Sequence, residues 1–430
     1  MKEKGPQKRA PGEFMPGSGC DAGVAPAGEW RVLALHLVEK VDRAAGEHAD
    51  QCYAHCHREI HASSVQNCES AGLSAGARNR LSLSLSVRSR PQFPEKGFPR
   101  SAKQRKIVHR LRARRPPFHP PYRVFTSTMA KFQNQDILEI TQGTSLLRIA
   151  PQAGGRLLSW EIDGKQVILW PDDADWNDPA RVRGGNPLLF PFLARHYVDG
   201  KIGRWRDASG VVRDLPMHGF ARDLPFAAQL DANGKGVTMT LTDSDATRTA
   251  YPFGFRFEAI YRLADAGTLD VILTTTNTGD TALPWYAGHH FYFALPHTQR
   301  GETTLELPPT QRRRQQADAS ISAAEPGAAQ YTLDDARIID RFHLLDGTPE
   351  RPVRIVAPGL NRTITIDLTR PGSIPWYAVT TWTLAPESDF YCVEPWLGLP
   401  DAIHNGFGLR WLAPGATESA ALRISVAAIR

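Results

Sequence analysis

Three side chains that can exchange protons stand out from the apolar–polar alternation of this sequence: His218, His290 and Glu394. Glu394 ends a strand-like apolar run and precedes Pro395, and an acid in such surroundings is costly unless it is paired or used. Imidazole and carboxylate groups are the commonest general acids and bases in proteins. The three residues therefore predict proton-transfer chemistry if the fold brings them together. A strand-end salt bridge for Glu394 and a structural hydrogen bond for His218 are the competing interpretations.

The histidine pair at 289 and 290 can be sorted by strand geometry. Residues 285–295 are rich in aromatic side chains and lack proline, which predicts a β-strand. Because successive side chains of a strand point to opposite faces, the two histidines cannot both serve one site. One face carries His289 with Phe291, Phe293 and Leu295, and the other carries His290 with Tyr286, Gly288 and Tyr292. The second face is the more polar, so His290 is the better functional candidate.

The rest of the chain from Met129 onward shows a period of two and almost no helical periodicity. Residues 157–170 predict a hairpin turned at Asp163-Gly164, and residues 226–243 predict another around Asn233-Gly234. Two further strand pairs are predicted, one joining 255–263 to 269–273 and one joining 353–356 to 363–368. The pattern indicates an all-β fold, a large antiparallel β-sandwich or barrel of about 300 residues.

The first 128 residues differ in composition from the remainder. They contain 22 Lys and Arg against 11 Asp and Glu, and four of the five cysteines, whereas residues 129–430 are net acidic. Residues 78–123 carry 14 basic side chains and one acid, which cannot bury enough apolar surface, so we expect disorder there. We therefore expect two regions: a basic extension at 1–128, and a catalytic β-sandwich domain at 129–430.

Several interpretations of that extension stay open. We favour the hypothesis that Met129 is the true start, because the composition changes abruptly there. Cys52, Cys56 and their neighbouring histidines could form a zinc site, and the basic stretch could bind nucleic acid, but the spacing is weak support for either. A transit peptide is disfavoured by the acids at 39–50.

Composition also limits the class of protein. The region after Met129 contains Cys392 as its single cysteine, too few for a disulfide framework, and the chain has no apolar run of roughly 18 residues. We therefore expect a cytoplasmic protein with no membrane partner and no nucleic-acid partner. No phosphate-binding glycine loop, paired metal motif or nucleophile elbow is present, although a Ser-His-Asp hydrolase stays open.

Five motifs in order resemble the aldose 1-epimerase (galactose mutarotase) family, over residues 137–426. They are Gly154-Gly-Arg-Leu-Leu-Ser-Trp160, Gly184-Gly-Asn-Pro187 with His218-Gly-Phe-Ala-Arg222, the stretch at 285–295, and Glu394-Pro-Trp-Leu-Gly398. The second set is more similar to the branch that acts on hexose 6-phosphates, and the last is more similar to the branch associated with galactose. The resemblance implies a galactose-mutarotase-like sandwich.

The resemblance also implies roles for individual residues. Glu394 matches the general base, His290 the general acid and His218 the companion histidine that contacts the sugar. The substrate-binding residues implied are Asp340, Arg222 and Asn186, and Arg222 resembles an arginine of the phosphosugar branch. His289 departs from the asparagine that usually precedes the acid histidine.

The implied reaction interconverts the α and β anomers of a hexose by acid/base ring opening and closure, with no metal and no cofactor. We expect the acid and base to lie on opposite sides of the sugar. A hexose-6-phosphate mutarotase is the alternative, with Arg183, Arg195 and Arg222 as candidates for phosphate recognition. A non-catalytic sugar-binding β-sandwich is a further alternative. The oligomeric state and the identity of the sugar are open.

Overall fold

A computed structural model describes residues 125–308, 310–345, 347 and 351–429 of the chain. The expectations for the extension, including disorder, the zinc cluster and the basic arm, concern residues that lie outside this described part, apart from 125–128. None of the helices within the described ranges is long and apolar enough to span a membrane.

The strands, numbered in chain order, are β1 Phe125–Phe132, β2 Gln135–Gln142, β3 Ser145–Ala150, β4 Arg156–Ile162, β5 Lys165–Ile168, β6 Leu188–Leu189, β7 Tyr197–Val198, β8 Lys201–Ile202, β9 Arg204–Arg206, β10 Val212–Asp214, β11 Ala227–Leu230, β12 Gly236–Thr242, β13 Phe255–Asp265, β14 Thr268–Asn277, β15 Leu283–Trp285, β16 Gly288–His289, β17 Tyr292–Ala294, β18 Thr304–Glu306, β19 Gln311–Arg313, β20 Glu325–Pro326, β21 Gln330–Thr332, β22 Arg341–Leu344, β23 Val353–Ala357, β24 Arg362–Asp367, β25 Ala378–Trp382, β26 Phe390–Trp396, β27 Arg410–Leu412 and β28 Thr417–Ala427. The helices are short: α1 Asp245–Arg248, α2 Ala402–Asn405, and 3-10 turns at Pro179–Arg181, Ala221–Asp223, His297–Gln299, Ala336–Ile338 and Pro358–Leu360.

Two large antiparallel sheets dominate the described part of the chain. One has the order β1-β2-β3-β4-β5-β17-β26-β25-β22-β19-β20, with β6 and β16 joined at its middle. The other has the order β11-β12-β13-β14-β28-β24-β23-β18-β21. This architecture confirms the all-β class, and its sheets enclose one large apolar core. The order also places the functional candidates on neighbouring strands near the middle of the first sheet.

The predicted hairpins are confirmed. Asp163 and Gly164 join β4 to β5 with φ of 52° and 70°, a left-handed pair that suits the sequence Asp-Gly. The hairpin around Asn233-Gly234 joins β11 to β12, and β13 turns into β14 after Asp265. Strand β23 pairs with β24 as expected. Turn residues and alternation are local signals, which is why they could be recognised in the sequence.

The prediction of one continuous strand over residues 285–295 is wrong. The segment is divided into β15, β16 and β17, with breaks at 286–287 and 290–291. Tyr286, expected on the same face as His290, lies instead in the main core, where its ring stacks on Phe192 at 4.9 Å. The face assignment holds beyond the first break, because His290 stacks on Tyr292 at 4.8 Å and His289 stacks on Phe291 at 4.8 Å.

Strand β1 begins before the predicted domain boundary. Residues Phe125 to Thr128 pair in register with Gln142 to Glu139 of β2, so the ordered sheet starts four residues upstream of Met129. Met129 itself is largely exposed on this edge strand. The boundary at 128/129 stays a prediction.

Candidate active site

The register of three adjacent strands brings His290 and Glu394 together. Gly288 pairs with Trp396, and Tyr292 pairs with Cys392, so the residue between them, His290, lies opposite Glu394. On the other side of β26, Thr380 of β25 pairs with Glu394. Because directly opposed residues of an antiparallel pair project to the same face, His290, Glu394 and Thr380 form a row across the sheet.

A second row lies one step along the same strands and consists of Tyr292, Cys392 and Trp382. Its members, with Phe390, form a small apolar cluster separate from the main core, to which Val393 of the same strand belongs. Alternate residues of β26 thus face opposite ways, and the row with Glu394 lies on the same face as this small cluster, opposite to Val393. The candidate site is therefore built on that face.

The acid and the histidine are direct neighbours. Nδ1 of His290 lies 3.5 Å from Oε1 of Glu394. Glu394 is 1% exposed, and its Oε2 accepts a hydrogen bond from the indole Nε1 of Trp396 at 3.2 Å. The expectation of acid and base on opposite sides of a sugar is wrong at this distance, because no sugar fits between atoms 3.5 Å apart. Both groups would approach a ligand from one side.

Asn186 fixes the backbone of the histidine pair. Its Oδ1 accepts from the main-chain N–H of His290 at 2.9 Å, and its Nδ2 lies 3.0 Å from Nδ1 of His289. The side chain is fully buried and also contacts the hydroxyl of Tyr261 at 3.2 Å. Asn186 was predicted to bind substrate, but its amide is directed to protein groups below the site, which suits a positioning role.

His218 is held in the site by a strained loop. Its φ is 68°, its N–H donates to the carbonyl of Ala194 at 2.9 Å, and its Nδ1 accepts from the N–H of Ala194 at 3.1 Å. Because Nδ1 accepts, the neutral ring carries its proton on Nε2. The ring lies 5.5 Å from that of His290, centroid to centroid. The structure therefore brings all three predicted catalytic residues together.

Glycine makes this loop possible at one position. Gly219 has a φ of 74°, and a Cβ there would lie 2.1 Å from the carbonyl oxygen of Phe190. The loop is anchored to that same residue, since Phe220 donates its N–H to the carbonyl of Phe190. The spacing of His218 and Gly219 in the sequence is thus explained by close packing against the chain at 190.

Arginines surround His290. Arg222 follows His218 in the 3-10 turn Ala221–Asp223, and its buried Nε has no hydrogen-bond partner among the described residues. The guanidinium of Arg183 lies 5.4 Å from the ring of Trp382 and hydrogen-bonds to Tyr292. Arg156 is buried and donates to the carbonyls of Val182 and Gly184, so it supports the loop that carries Asn186. Two of the three phosphate candidates, Arg183 and Arg222, therefore lie at the site.

The remaining candidates lie nearer the rim. Asp340 has a φ of 53° and an exposed side chain. Desolvation by the surrounding protein nevertheless raises the pKa of its carboxyl. The charges of Arg195 and Arg341 act against that rise. Arg195 is also exposed. Asp340 is near enough to the acid that its charge raises the pKa of Glu394, which places it beside the site and not within the row of His290 and Glu394.

Burial shifts the acid and the histidines in opposite directions. Burial raises the pKa of Glu394 well above its usual value, the Trp396 hydrogen bond lowers it, and the charge of Asp340 raises it. Burial lowers the pKa of His290 well below its usual value, and the charges of Arg183, Arg222 and Arg156 lower it further. Burial therefore favours a neutral imidazole and a protonated carboxyl. The pair then shares one titratable proton, and that proton lies on Glu394.

Sequence reasoning missed three residues of this face. Thr380 has a buried hydroxyl without a hydrogen-bond partner in the described part of the chain. The rings of Trp382 and His290 are nearly perpendicular, with centroids 5.6 Å apart. Cys392 lies on the same strand as Glu394 and on the same face. Among the described residues, His290, Cys392 and Glu394 are the one His/Cys/acid group of three whose ligand atoms all lie within 4.8 Å of each other. The apolar–polar alternation of residues 378–382 could have predicted a strand there. It could not have shown that this strand lies beside the one that carries Glu394.

Comparison with known proteins adds independent findings. A family model described as aldose 1-epimerase matches residues 136–425, most of the described sheet structure. A protein of Escherichia coli strain K12, provisionally named as a glucose-6-phosphate 1-epimerase, is 30% identical over 122 residues. That alignment covers 27% of this chain and 37% of the relative, so it spans about a third of the relative's length.

Solved structures share the fold. A galactose mutarotase related enzyme from Lactobacillus acidophilus superposes with a TM-score of 0.58 at 21% identity, covering 68% of this chain and 97% of that protein. A galactose 1-epimerase from Lactobacillus acidophilus NCFM superposes with a TM-score of 0.54 at 16% identity, covering 71% and 100%. At these identities the superpositions establish the fold alone, the galactose-mutarotase-like sandwich.

Proposed function

Because the chain belongs to the aldose 1-epimerase family, we propose that it is an isomerase that interconverts the α and β anomers of a hexose. The observation that carries the proposal is the buried pair of His290 and Glu394, with Nδ1 and Oε1 separated by 3.5 Å. His218 presents a second imidazole beside them. The catalytic domain is proposed to comprise residues 129–430. A cytoplasmic location stays a prediction from cysteine content.

The reaction needs two coordinated proton transfers. The hydroxyl on C1 loses its proton to the base while the ring oxygen gains one, the bond between C1 and the ring oxygen breaks, and C1 becomes an aldehyde carbon. Rotation about C1–C2 followed by the reverse transfers gives the other anomer. Both oxygens are bonded to the same carbon, so neighbouring groups on one side of the sugar can reach them. Each transfer contributes roughly 10² to 10⁴ in rate.

The proton inventory of the pair suits this scheme. Glu394 as carboxylate and His290 as imidazolium would act on the closed ring, and the transfers convert them to the carboxylic acid and the neutral imidazole. That neutral pair is the one that burial favours. The site therefore stabilises the protonation state that accompanies the open-chain aldehyde. His218, with its proton on Nε2, would donate a hydrogen bond to a sugar hydroxyl or to the ring oxygen.

The proposal is tested by substitution of the pair in the full chain. Glu394→Gln and His290→Asn are each expected to slow anomerisation, followed by polarimetry or by NMR of the anomeric protons, by roughly 10² or more. His297→Asn, at an exposed histidine outside the site, is the control. Wild-type rates in both site variants, with folding verified by circular dichroism, would exclude the proposed chemistry. Sugar binding without any rate enhancement in the wild type would favour the non-catalytic binding module.

A second candidate, a hexose-6-phosphate mutarotase, is favoured by the arginines at the site. Arg183 and Arg222 both lower the pKa of His290, which opposes the imidazolium needed to protonate the ring oxygen. A phosphate bound by these side chains would offset their charge and raise the pKa of His290. A phosphorylated substrate would thus improve the acid while it binds. The bacterial relative provisionally named as a glucose-6-phosphate 1-epimerase also favours a phosphorylated substrate.

The two candidates are separated by one competition assay. Glucose 6-phosphate is mixed with glucose in one sample and with galactose in a second. The anomerisation of each sugar is followed by NMR. Arg222→Gln is expected to reduce the rate for the phosphorylated sugar by about tenfold or more, because a charged hydrogen bond contributes about 1.5–3 kcal/mol. The free sugar is not expected to slow, because loss of the Arg222 charge raises the pKa of His290. Arg248→Gln, at an exposed arginine, is the control. Equal losses for both sugars would favour the free hexose as substrate.

A further inference from the structure

A thiol lies beside the proposed acid–base pair, and anomerisation has no use for it. Cys392 is fully buried, two positions before Glu394 on β26, and it projects to the same face. Its neighbours across the strands are Tyr292 and Trp382. The ligand atoms of His290, Cys392 and Glu394 all lie within 4.8 Å of one another. Imidazole, thiolate and carboxylate together are the donor set that zinc uses in proteins.

Two of these donors have an unused ligand atom. Nδ1 of His290 is buried and makes no hydrogen bond with any described residue, although it faces Oε1 of Glu394 at 3.5 Å. Oε2 of the same acid accepts from Trp396, which leaves Oε1 facing the histidine. The hydroxyl of Thr380, opposite Glu394, is also buried without a partner among the described residues and could hydrogen-bond to a ligated carboxylate or water.

We infer that His290, Cys392 and Glu394 form a binding site for a single thiophilic divalent cation such as Zn²⁺. Bonds of about 2.0–2.3 Å in a tetrahedral arrangement put donor atoms roughly 3.3–3.8 Å apart. The separation of His290 and Glu394 already meets this requirement, and closure around a metal requires movements on the order of 1 Å. Three protein ligands leave the fourth position for water or a sugar hydroxyl.

The charge balance makes the site selective. Arg183 and Arg222 lie near His290 and repel cations, so ions that bind only through oxygen and charge, such as Mg²⁺, are not expected to enter. A thiophilic ion differs because it displaces the protons of Cys392 and Glu394, and the two negative charges so formed neutralise it.

Occupancy would inhibit the reaction, since the metal would cover the two atoms that exchange protons with the sugar. Binding of the metal does not depend on the proposed function, whereas inhibition does. The two are therefore measured separately. Cobalt serves as the probe, because Co²⁺ replaces Zn²⁺ in such sites and a thiolate ligand gives it a charge-transfer absorption in the near ultraviolet.

The experiment uses the full chain with Cys20, Cys52, Cys56 and Cys68 replaced by serine, so that Cys392 is the one remaining thiol. Titration with Co²⁺ is expected to saturate at one equivalent with the thiolate band, and Zn²⁺ is expected to abolish the band by displacement. Adding Cys392→Ser should remove the band, and Glu394→Gln, which keeps the thiol, should weaken binding by roughly tenfold or more. Mg²⁺ should not compete.

Absence of the band in the protein that retains Cys392, or its persistence after Cys392→Ser, would overturn the inference. Unchanged affinity for Co²⁺ in Glu394→Gln would also overturn it. If Cys392→Ser fails to fold, Glu394→Gln alone tests whether these residues bind the metal. In the activity arm, Zn²⁺ should slow anomerisation by the protein with Cys392 and not by the Cys392→Ser protein. If the chain proves not to anomerise sugars, the cobalt titration still tests the site.

Discussion

Trp396 donates its indole N–H to Glu394, two positions earlier on the same strand, and the same N–H also reaches the carbonyl of His289; both distances are 3.2 Å. One donor thus links the carboxylate to the backbone beside His290. The bond favours the ionised carboxylate and lowers the pKa of Glu394 against the larger effect of burial. Trp396 is therefore a positioning residue for the proposed base.

Trp396→Phe is expected to raise the pKa of Glu394, because the ionised form loses its hydrogen bond. The base form then appears only at higher pH, and the acid limb of the pH–rate profile moves to higher pH. Polarimetric rates measured across pH test this. Trp205→Phe is the matched control, since Trp205 is equally buried and donates to the carbonyl of Ala250 outside the site. An unshifted profile in Trp396→Phe would remove the positioning role.

Asn186→Leu is expected to lower kcat more than it changes KM. The substitution leaves the N–H of His290 and the ring of His289 without their partner, at a cost of about 1–3 kcal/mol for each group. Melting temperature and steady-state rates are measured together. Asn277→Leu is the control, because Asn277 is a buried amide that bonds to Thr281 and Leu412 instead. Equal kcat losses in the two folded variants would indicate that general destabilisation explains the effect.

Stability is expected to fall as the pH is lowered from about 6.5 toward about 3. Burial lowers the pKa of His196, His289 and His343 from 6.5 to about 3 in the folded protein. Below pH 6.5 the unfolded chain takes up protons at these histidines, whereas the folded chain does not until the pH nears 3. Proton uptake therefore stabilises the unfolded state, and the free energy of unfolding falls as the pH is lowered through this range. Glu394, whose pKa is raised, acts in the opposite sense above about pH 4.5.

Urea unfolding at several pH values measures this loss. Each histidine contributes up to about 1.4 kcal/mol per pH unit. His343→Gln should flatten the dependence, because glutamine does not titrate and can keep the bond that His343 makes with the hydroxyl of Thr381 at 3.1 Å. An identical slope in the variant and in the wild type would contradict the assignment.

A chain that begins at Met129 is expected to fold and to keep its anomerisation rate. It loses four residues of β1, an edge strand, together with the pairs that they form with β2. In the sheet order, β1 is five strands from β17, roughly 24 Å from the site. A slightly lower melting temperature than that of a chain beginning at Phe125 is the expected cost. A large loss of activity would show that the domain boundary lies upstream.

Some features of the fold and of the candidate site could be predicted from local sequence patterns. The turns at Asp163-Gly164 and at Asn233-Gly234 were predictable because backbone conformation there depends on the turn residues themselves. Strands β12 and β13 were predictable from their apolar–polar alternation. The motifs around His218, His290 and Glu394 also identified residues that the fold brings to one place.

Other features depended on contacts between distant parts of the chain. At 286–287 the chain leaves β27 for β26, and across 290–291 it stays beside β26 while its other partner changes from β6 to β5. No local signal marks these breaks. Asn186 acquired its place under the histidines through a contact across 104 residues.

By itself, the sequence determined the all-β class, the hairpins and the candidates for proton transfer, because these depend on residue type and on neighbours within a few positions. Tertiary structure alone decided that Thr380, Glu394 and His290 form one row, that Cys392 joins them, and that Arg183 and Arg222 charge the site. Register between strands far apart in sequence is fixed by the packing of whole sheets, and a strand's own pattern does not record which strand lies beside it.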